Sequence, residues 1–334
     1  MMRNTAIKAI VFISILFGID RSIYQAGVYL RDHSHLQAKL DIVFNRDIQP
    51  VVGIFGSSRS YHHYDAEMLG EATEQSVFNF GADGANFDQQ FLTLKIWLES
   101  GHHPKLVIFE ADPESLNPAS LHFDTTQFRE WALENTQIHD LFLPETFPKK
   151  ELEAFFARYV LKSSVLANRL PELFRAWTNR NNPGWLCFGL GDCRYRQGSL
   201  LMPPRDWTPP AVLSSADYAL SAKRQAGFVE LVEMAQRHGI KVLLIETPRY
   251  DVDDTLGEDT RRQTRTFFCG LTENRPDVVY ADLSKINGLD KDPQNYVDAM
   301  HLNISGAEAF TSGVIPLVRA MLVGQSTGER CLLP

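Results

Sequence analysis

The stretch Val51-Val-Gly-Ile-Phe-Gly-Ser-Ser-Arg-Ser60 decides how the chain is read. An apolar, β-branched run leads into Gly56, two serines and an arginine, the pattern of a buried strand that ends in a tight turn. A serine at such a strand end stands at the mouth of a sheet, where α/β proteins place their ligands. Taken alone, Gly-Ser-Ser is more often turn chemistry than a nucleophile, because serine occurs freely in turns. A nucleophile would need a base, an orienting acid and an oxyanion site from elsewhere in the chain.

The flanking sequence repeats the strand pattern. Ser76 to Phe80 reads as a second strand, followed by Gly81-Ala-Asp-Gly84 and a helix over 87–100 with apolar spacing at Phe91, Leu94, Trp97 and Leu98 and a stop at Gly101. Lys105 to Glu110 is a third strand, apolar throughout in the manner of strands buried on both faces. Strands over 240–245 and 277–281 follow helices over 216–238 and 261–274, and a helix over 304–322 closes the chain. This predicts an α/β fold with about five parallel strands. Between 113 and 215 the pattern is lost amid recurring prolines, with short helices expected over 150–159 and 171–179. A hundred residues exceed any ordinary loop, so the segment reads as a large helical and irregular insertion over or beside the sheet's carboxyl edge.

Totals restrict the partners. The chain has 334 residues, 33 basic and 41 acidic, for a net charge of -8, and no basic stripe interleaved with aromatics, which argues against nucleic acid. It has four cysteines and no Cys-x-x-Cys pair. Cys187 and Cys193 flank a short loop and would pair in an oxidising compartment, or remain thiols in the cytosol.

At the amino terminus Arg3 and Lys8 precede the apolar run Ala9 to Ile19, after which come Asp20, Arg21 and a semi-apolar stretch to Leu30. The run is shorter than the ~20 residues a spanning helix needs. A cleaved signal peptide, a buried soluble helix and an uncleaved signal-anchor all compete. The last is preferred, with the start inside and the rest outside. Asp20 and Arg21 then either snorkel to headgroups or dock against a partner membrane protein. The boundaries are an anchor helix over 1–32, a stalk over 33–50, an α/β domain over 51–325 and a tail over 326–334.

The complementary segment is Tyr296-Val-Asp298-Ala-Met-His301-Leu-Asn303, between the last strand and the last helix. An aspartate three residues before a histidine can fold back, accept the Nδ1 proton and leave Nε2 as a general base. The same spacing also suits a pair of metal ligands, though no third ligand is near, or a helix cap beside an incidental histidine. The glycine turn after the second strand presents backbone N–H groups beside that of Ser58.

Together these segments resemble the SGNH, or GDSL-type, hydrolase family, which implies a three-layer, flavodoxin-like fold. Gly56-Ser57-Ser58 is similar to that family's Gly-Asp-Ser block and places the nucleophile at Ser58. Asn79-x-Gly81-x-x-Gly84 resembles its second block, with Gly84 as an oxyanion donor beside the Ser58 N–H. Asp298-x-x-His301 matches its last block. The family's Gly-x-Asn-Asp is replaced by Glu110-Ala-Asp-Pro-Glu-Ser-Leu-Asn117, leaving no asparagine in register as third donor. Asn79, Arg59 and Asn117 are supporting candidates. Arg59 holds either an anionic polymer or, preferably, a buried carboxylate. The Gly-Ser-Ser-Arg variant behind an amino-terminal anchor further resembles membrane-anchored SGNH-like proteins of envelope polymer acylation. That resemblance implies an extracytoplasmic, serine-dependent O-acyl transferase or esterase acting on a glycan beside a membrane-bound O-acyltransferase or glycan-export machinery, without metal or cofactor. A non-catalytic envelope assembly or glycan-binding module is the alternative.

Overall fold

The computed structural model describes residues 2–32, 39, 42–43, 49–118, 160–165, 170–171, 174, 178, 193–209, 217–251, 257–324 and 329–334. The chain divides into two compact units, one of Met1–Asp41 with Asp124–Asn182 and one of Ile42–Phe123 with Pro183–Pro334.

In the second unit a six-stranded sheet is built from β1 (Val52–Phe55), β2 (Val77–Asn79), β3 (Leu106–Glu110), β6 (Lys241–Glu246), β7 (Val278–Asp282) and β8 (Cys331–Leu332), in the order β2-β1-β3-β6-β7-β8. Every pairing is parallel. The five expected strands are present. The sixth lies in the stretch read as a tail and is only two residues long, too short to leave a pattern. Cys331 within it is bonded to Cys269 of the helix before β7, a pairing the sequence reading did not reach. Cys193 is also disulfide-bonded, while Cys187, its expected partner, lies outside the described residues.

Alternation along the strands separates two cores. Val52, Ile54, Leu106, Ile108, Leu243 and Ile245 face one way into an aliphatic cluster with Leu69 of α3 (Ala66–Thr73) and Phe310, Val314 and Val318 of α7 (Ile304–Leu322). The other face is aromatic. Phe55 stacks on Phe80 with centroids 4.8 Å apart. Phe87 of α4 (Phe87–Glu99) meets Phe228 of α5 (Ala222–Arg237) at 4.2 Å, and Phe228 meets Phe268 of α6 (Glu258–Thr272) at 4.9 Å. Helices thus cover both faces, which is why β1 and β3 are buried at every position. Polar side chains fix the helix starts. Asp65 accepts from Met68 N at 3.0 Å, Asn86 from Gln89 N at 3.0 Å and Asn303 from Gly306 N at 3.1 Å.

The segment read as one insertion contributes to both units. Its later part forms the antiparallel hairpin β4 (Arg194–Arg196) and β5 (Ser199–Leu201). The hairpin turn docks on the end of β2, where Asn79 N donates to Gln197 O at 2.9 Å. The helix expected over 150–159 lies outside the described residues. Of the one expected over 171–179, Pro171, Phe174 and Thr178 are helical.

In the first unit α1 (Met2–Asp32) is continuous, but no helix of the described residues is long and apolar enough to cross a membrane, so the expected spanning anchor is not supported. The reason is visible at Asp20, which interrupts the apolar run and is itself satisfied within the chain. It is 5% exposed, and its carboxylate accepts from Lys162 N and Ser163 N, each at 3.0 Å, and from Ser163 Oγ at 2.6 Å. The expected choice between snorkelling and docking on a partner is replaced by a cap on the short 3-10 turn Lys162–Val165. Tyr24, one turn on, carries Lys162 Nζ over its ring at 4.1 Å.

Register also creates a carboxylate pair, because Glu246 lies opposite Asp282. Asp282 accepts from Arg265 Nε at 2.6 Å and from Ser284 N and Oγ at 3.0 and 2.6 Å, whereas Glu246 receives Tyr280 Oη at 3.1 Å. Burial first, and the Asp282 charge second, raise the Glu246 carboxyl from 4.5 to about 7. A carboxyl whose folded value is raised loses stability as pH climbs from its unfolded to its folded value. Glu246 alone should therefore cost stability between pH 4.5 and 7, a window worth about 3 kcal/mol at ~1.4 kcal/mol per unit. The wild-type unfolding midpoint should decline relative to that of Glu246→Gln across that window, read by thermal unfolding at matched ionic strength. An equal fall in both proteins would contradict the assignment.

Candidate active site

The register of the central strands builds the site. Phe55 pairs with Phe109, so Gly56 arrives beside Glu110 where both strands end. A Cβ on Gly56 would strike the Ser60 hydroxyl and the Glu110 carboxylate, so only glycine fits this close approach. Ser57 then caps the short helix α2 (Ser58–His63), its Oγ accepting from Arg59 N at 3.3 Å. Glu110 collects the turn around itself. It accepts from Ser57 N at 2.8 Å, Ser57 Oγ at 2.8 Å, Ser60 Oγ at 3.0 Å and Arg59 Nη2 at 2.7 Å. Arg59 is buried and also pairs with Asp112 and with Glu114, the latter at 3.1 Å. Of its two expected partners, the structure brings it the buried carboxylate. Arg249 joins the same cluster through Glu114 at 3.0 Å. Burial alone would raise Glu114, but the Arg249 and Arg59 charges outweigh it and hold the carboxyl down at about 2.

The histidine arrives on a loop pinned from several sides. Val297 N donates to His301 O at 2.9 Å, Asn303 N to Asn295 O at 2.8 Å and Ile304 N to Met202 O at 2.7 Å. From beneath, His63 Nε2 accepts from Leu302 N at 3.2 Å. Burial, then the neighbouring His301, Arg59 and His62, push the His63 ring well below the ordinary imidazole value, so it stays a neutral prop.

Ser58, His301 and Asp298 form one hydrogen-bonded chain. His301 Nε2 lies 2.8 Å from Ser58 Oγ, and Nδ1 lies 2.9 Å from Asp298 Oδ2. Asp298 Oδ1 also accepts from Met300 N at 2.8 Å and His301 N at 2.9 Å. The capping alternative is therefore half right: the carboxylate caps its own turn and orients the ring at once. Partial burial would raise Asp298, but the His301 hydrogen bond and charge and the two backbone donors prevail and keep it below the usual carboxylate range. That favours Nδ1 as the protonated nitrogen and Nε2 as the acceptor of the serine proton. Among the described residues no group of three or more His, Cys, Asp or Glu could hold a metal ion.

The chain opens into a cavity of about 200 Å³ lined by Ser58, His301, Gly84, Gln90, Phe87 and Phe109 among others. Gly84 takes the left-handed conformation, φ +69°, that glycine alone adopts without strain. Two supporting candidates fall elsewhere. Asn79 is fully buried and structural, donating to Ser60 O at 2.7 Å and Ser199 Oγ at 3.0 Å and accepting from Gly81 N at 2.8 Å. Asn117 does not line the cavity, and its carbonyl accepts from Arg224. It lies past the 3-10 turn Glu114–Leu116, which carries the chain away before an asparagine could reach back. Sequence reasoning missed Glu110 and Gln90. Glu110 left a readable sign, an acid closing an otherwise apolar strand, which must find donors. Gln90 left none, being one of several polar residues on its helix and following the equally buried Gln89.

Comparison with known proteins adds the following. No curated protein sequence matches the chain. Two solved structures can be superposed. TesA shares 12% identity at a TM-score of 0.41, covering 81% of this chain and 98% of its own. A protein described as an acylhydrolase, from Bacteroides fragilis, shares 12% at 0.37, covering 80% and 87%. Neither superposition bears on the chemistry, which stands on the distances above. The matching family model spans residues 15–184, half of the sequence, and so the chain belongs to the family of proteins of unknown function named DUF1574.

Proposed function

We propose that this chain is an extracytoplasmic, serine-dependent O-acyl transferase or esterase that handles a short acyl group, acetyl above all, on a cell-envelope polysaccharide. The observation that carries the reading is the Ser58–His301–Asp298 chain at the mouth of a cavity. Ser58 Oγ attacks the acyl carbonyl while His301 Nε2 takes its proton, and Asp298 stabilises the resulting imidazolium. The new Ser58–acyl bond persists as the bond to the donor oxygen breaks, and Nε2 returns the proton to that oxygen. A sugar hydroxyl or water then attacks, gives its proton to Nε2 and releases Ser58, which recovers its own. The Ser58 N–H, which as the first residue of α2 has no intrahelical acceptor, and the Gly84 N–H receive the developing oxyanion.

Size supports the choice of acyl group. At about 200 Å³ the cavity is below the range usual for drug-sized ligands. The disulfides favour an oxidising compartment. Residues from Ile7 to Ile19 expose large apolar side chains, Ile10 and Ile13 at 64% each, which suits contact with a membrane and a membrane-bound acyltransferase or glycan-export partner.

A fluorophosphonate probe should label the full chain at Ser58. Ser58→Ala and His301→Ala should each lose acyl transfer or ester hydrolysis by at least about 10³-fold with unchanged unfolding midpoints. Undiminished turnover in either variant would end the proposal, and an unlabelled wild type that binds glycan would favour the non-catalytic module. Across a series of aryl esters, kcat/KM should fall at least about tenfold from acetate to octanoate, as expected of a cavity that size. A flat series would remove the short-acyl assignment.

A further inference from the structure

The described cavity has two backbone donors for an oxyanion and lacks the asparagine that would complete them. The place that such a residue would occupy past the end of β3 is taken by Asp112, an acceptor engaged by Ser115 and Arg59. We propose that the third donor comes instead from α4, from the side-chain amide of Gln90. This inference rests on the acyl-transfer reading above and adds a residue to it.

Gln90 is 2% exposed and lines the same cavity as Ser58, Gly84 and His301. Its orientation is fixed by chemistry. Gly56 N, a donor that cannot be reversed, lies 3.0 Å from Oε1, so the acceptor end of the amide faces the strand and the NH2 faces away from it. Among the described residues Nε2 has no hydrogen-bond partner. An amide donor that faces the cavity without a protein partner is open to an acceptor on a ligand. Most other polar side chains at the cavity are committed, the exception being Arg59 Nη1, which is buried without a hydrogen-bond partner among the described residues. Asn86 Oδ1 caps α4, Ser115 Oγ donates to Asp112 Oδ1 at 2.7 Å, Arg59 serves three carboxylates, and Glu110 and Glu114 are acceptors. One side chain thereby does two jobs: Oε1 ties down the turn that carries Ser58, and Nε2 offers its proton where negative charge develops.

Two substitutions separate those jobs. Gln90→Glu keeps an acceptor for Gly56 N and removes the donor, whereas Gln90→Met removes both. With a short-chain aryl ester, folded Gln90→Glu should keep KM within about threefold while kcat falls about 10²-fold or more. Gln90→Met should lose at least as much kcat. If both variants stay within threefold of wild-type kcat, the inference fails. It fails equally if Gln90→Met is impaired and Gln90→Glu is fully active, since the acceptor alone would then explain the residue. Wild-type protein that neither labels at Ser58 nor turns over ester would overturn the parent reading, an outcome distinct from these.

Discussion

The buried Glu110 carboxylate is the constraint on which the site depends. An ionised acid at the end of a fully buried strand is tolerated only with a full set of donors. Here the donors all come from Ser57 to Ser60, just after β1: the Ser57 amide and hydroxyl, the Ser60 hydroxyl and the Arg59 guanidinium. Satisfying the charge therefore dictates the path of the turn, and the path presents Ser58 outward toward His301. Arg59 in turn recruits Asp112 and Glu114, and Arg249 closes the cluster from the end of β6. The nucleophile's position is set by electrostatics beneath it more than by contacts around it. Breaking such a buried pair typically costs several kcal/mol, because the remaining charge has nowhere to go.

How much of this could be read in advance follows from signal length. Strands of four to six apolar residues and helices with Gly or Asn at their ends were legible, and with them the parallel sheet and its carboxyl edge. So were Ser58, just past the end of a strand, and Asp298 and His301, just before the last helix. The sixth strand was not legible, because two residues have no periodicity and its pairing is held by Cys331. Nor was the hairpin of β4 and β5, whose three-residue strands lie in a proline-rich region. Asn79 was legible as a supporting residue of a motif, but not that it ties the Ser60 carbonyl to Ser199. Single side chains facing a cavity from a helix carry no pattern at all, which is why Gln90 emerged only from geometry.

Asp20 teaches the same lesson at the other end of the chain. An acid after eleven mostly apolar residues suggested a membrane boundary, because hydropathy counts residues and ignores partners. A short turn more than a hundred residues later supplies two amides and a hydroxyl, and the carboxylate becomes a cap. Long-range partners of this kind are invisible to any local window.

The disulfide between Cys269 and Cys331 encloses 62 residues of sequence. Within that covalent ring lie β7, Asp298, His301 and α7, while Ser58 lies outside it. Closing a ring of this length restricts the unfolded chain by an amount equivalent to about 4 kcal/mol in the chain-entropy model. Reduction would also free β8 and leave β7 as an open edge, a template for pairing with other chains. Oxidation of this pair thus stabilises the fold as a whole, and with it the sheet edge from which the segment carrying Asp298 and His301 departs.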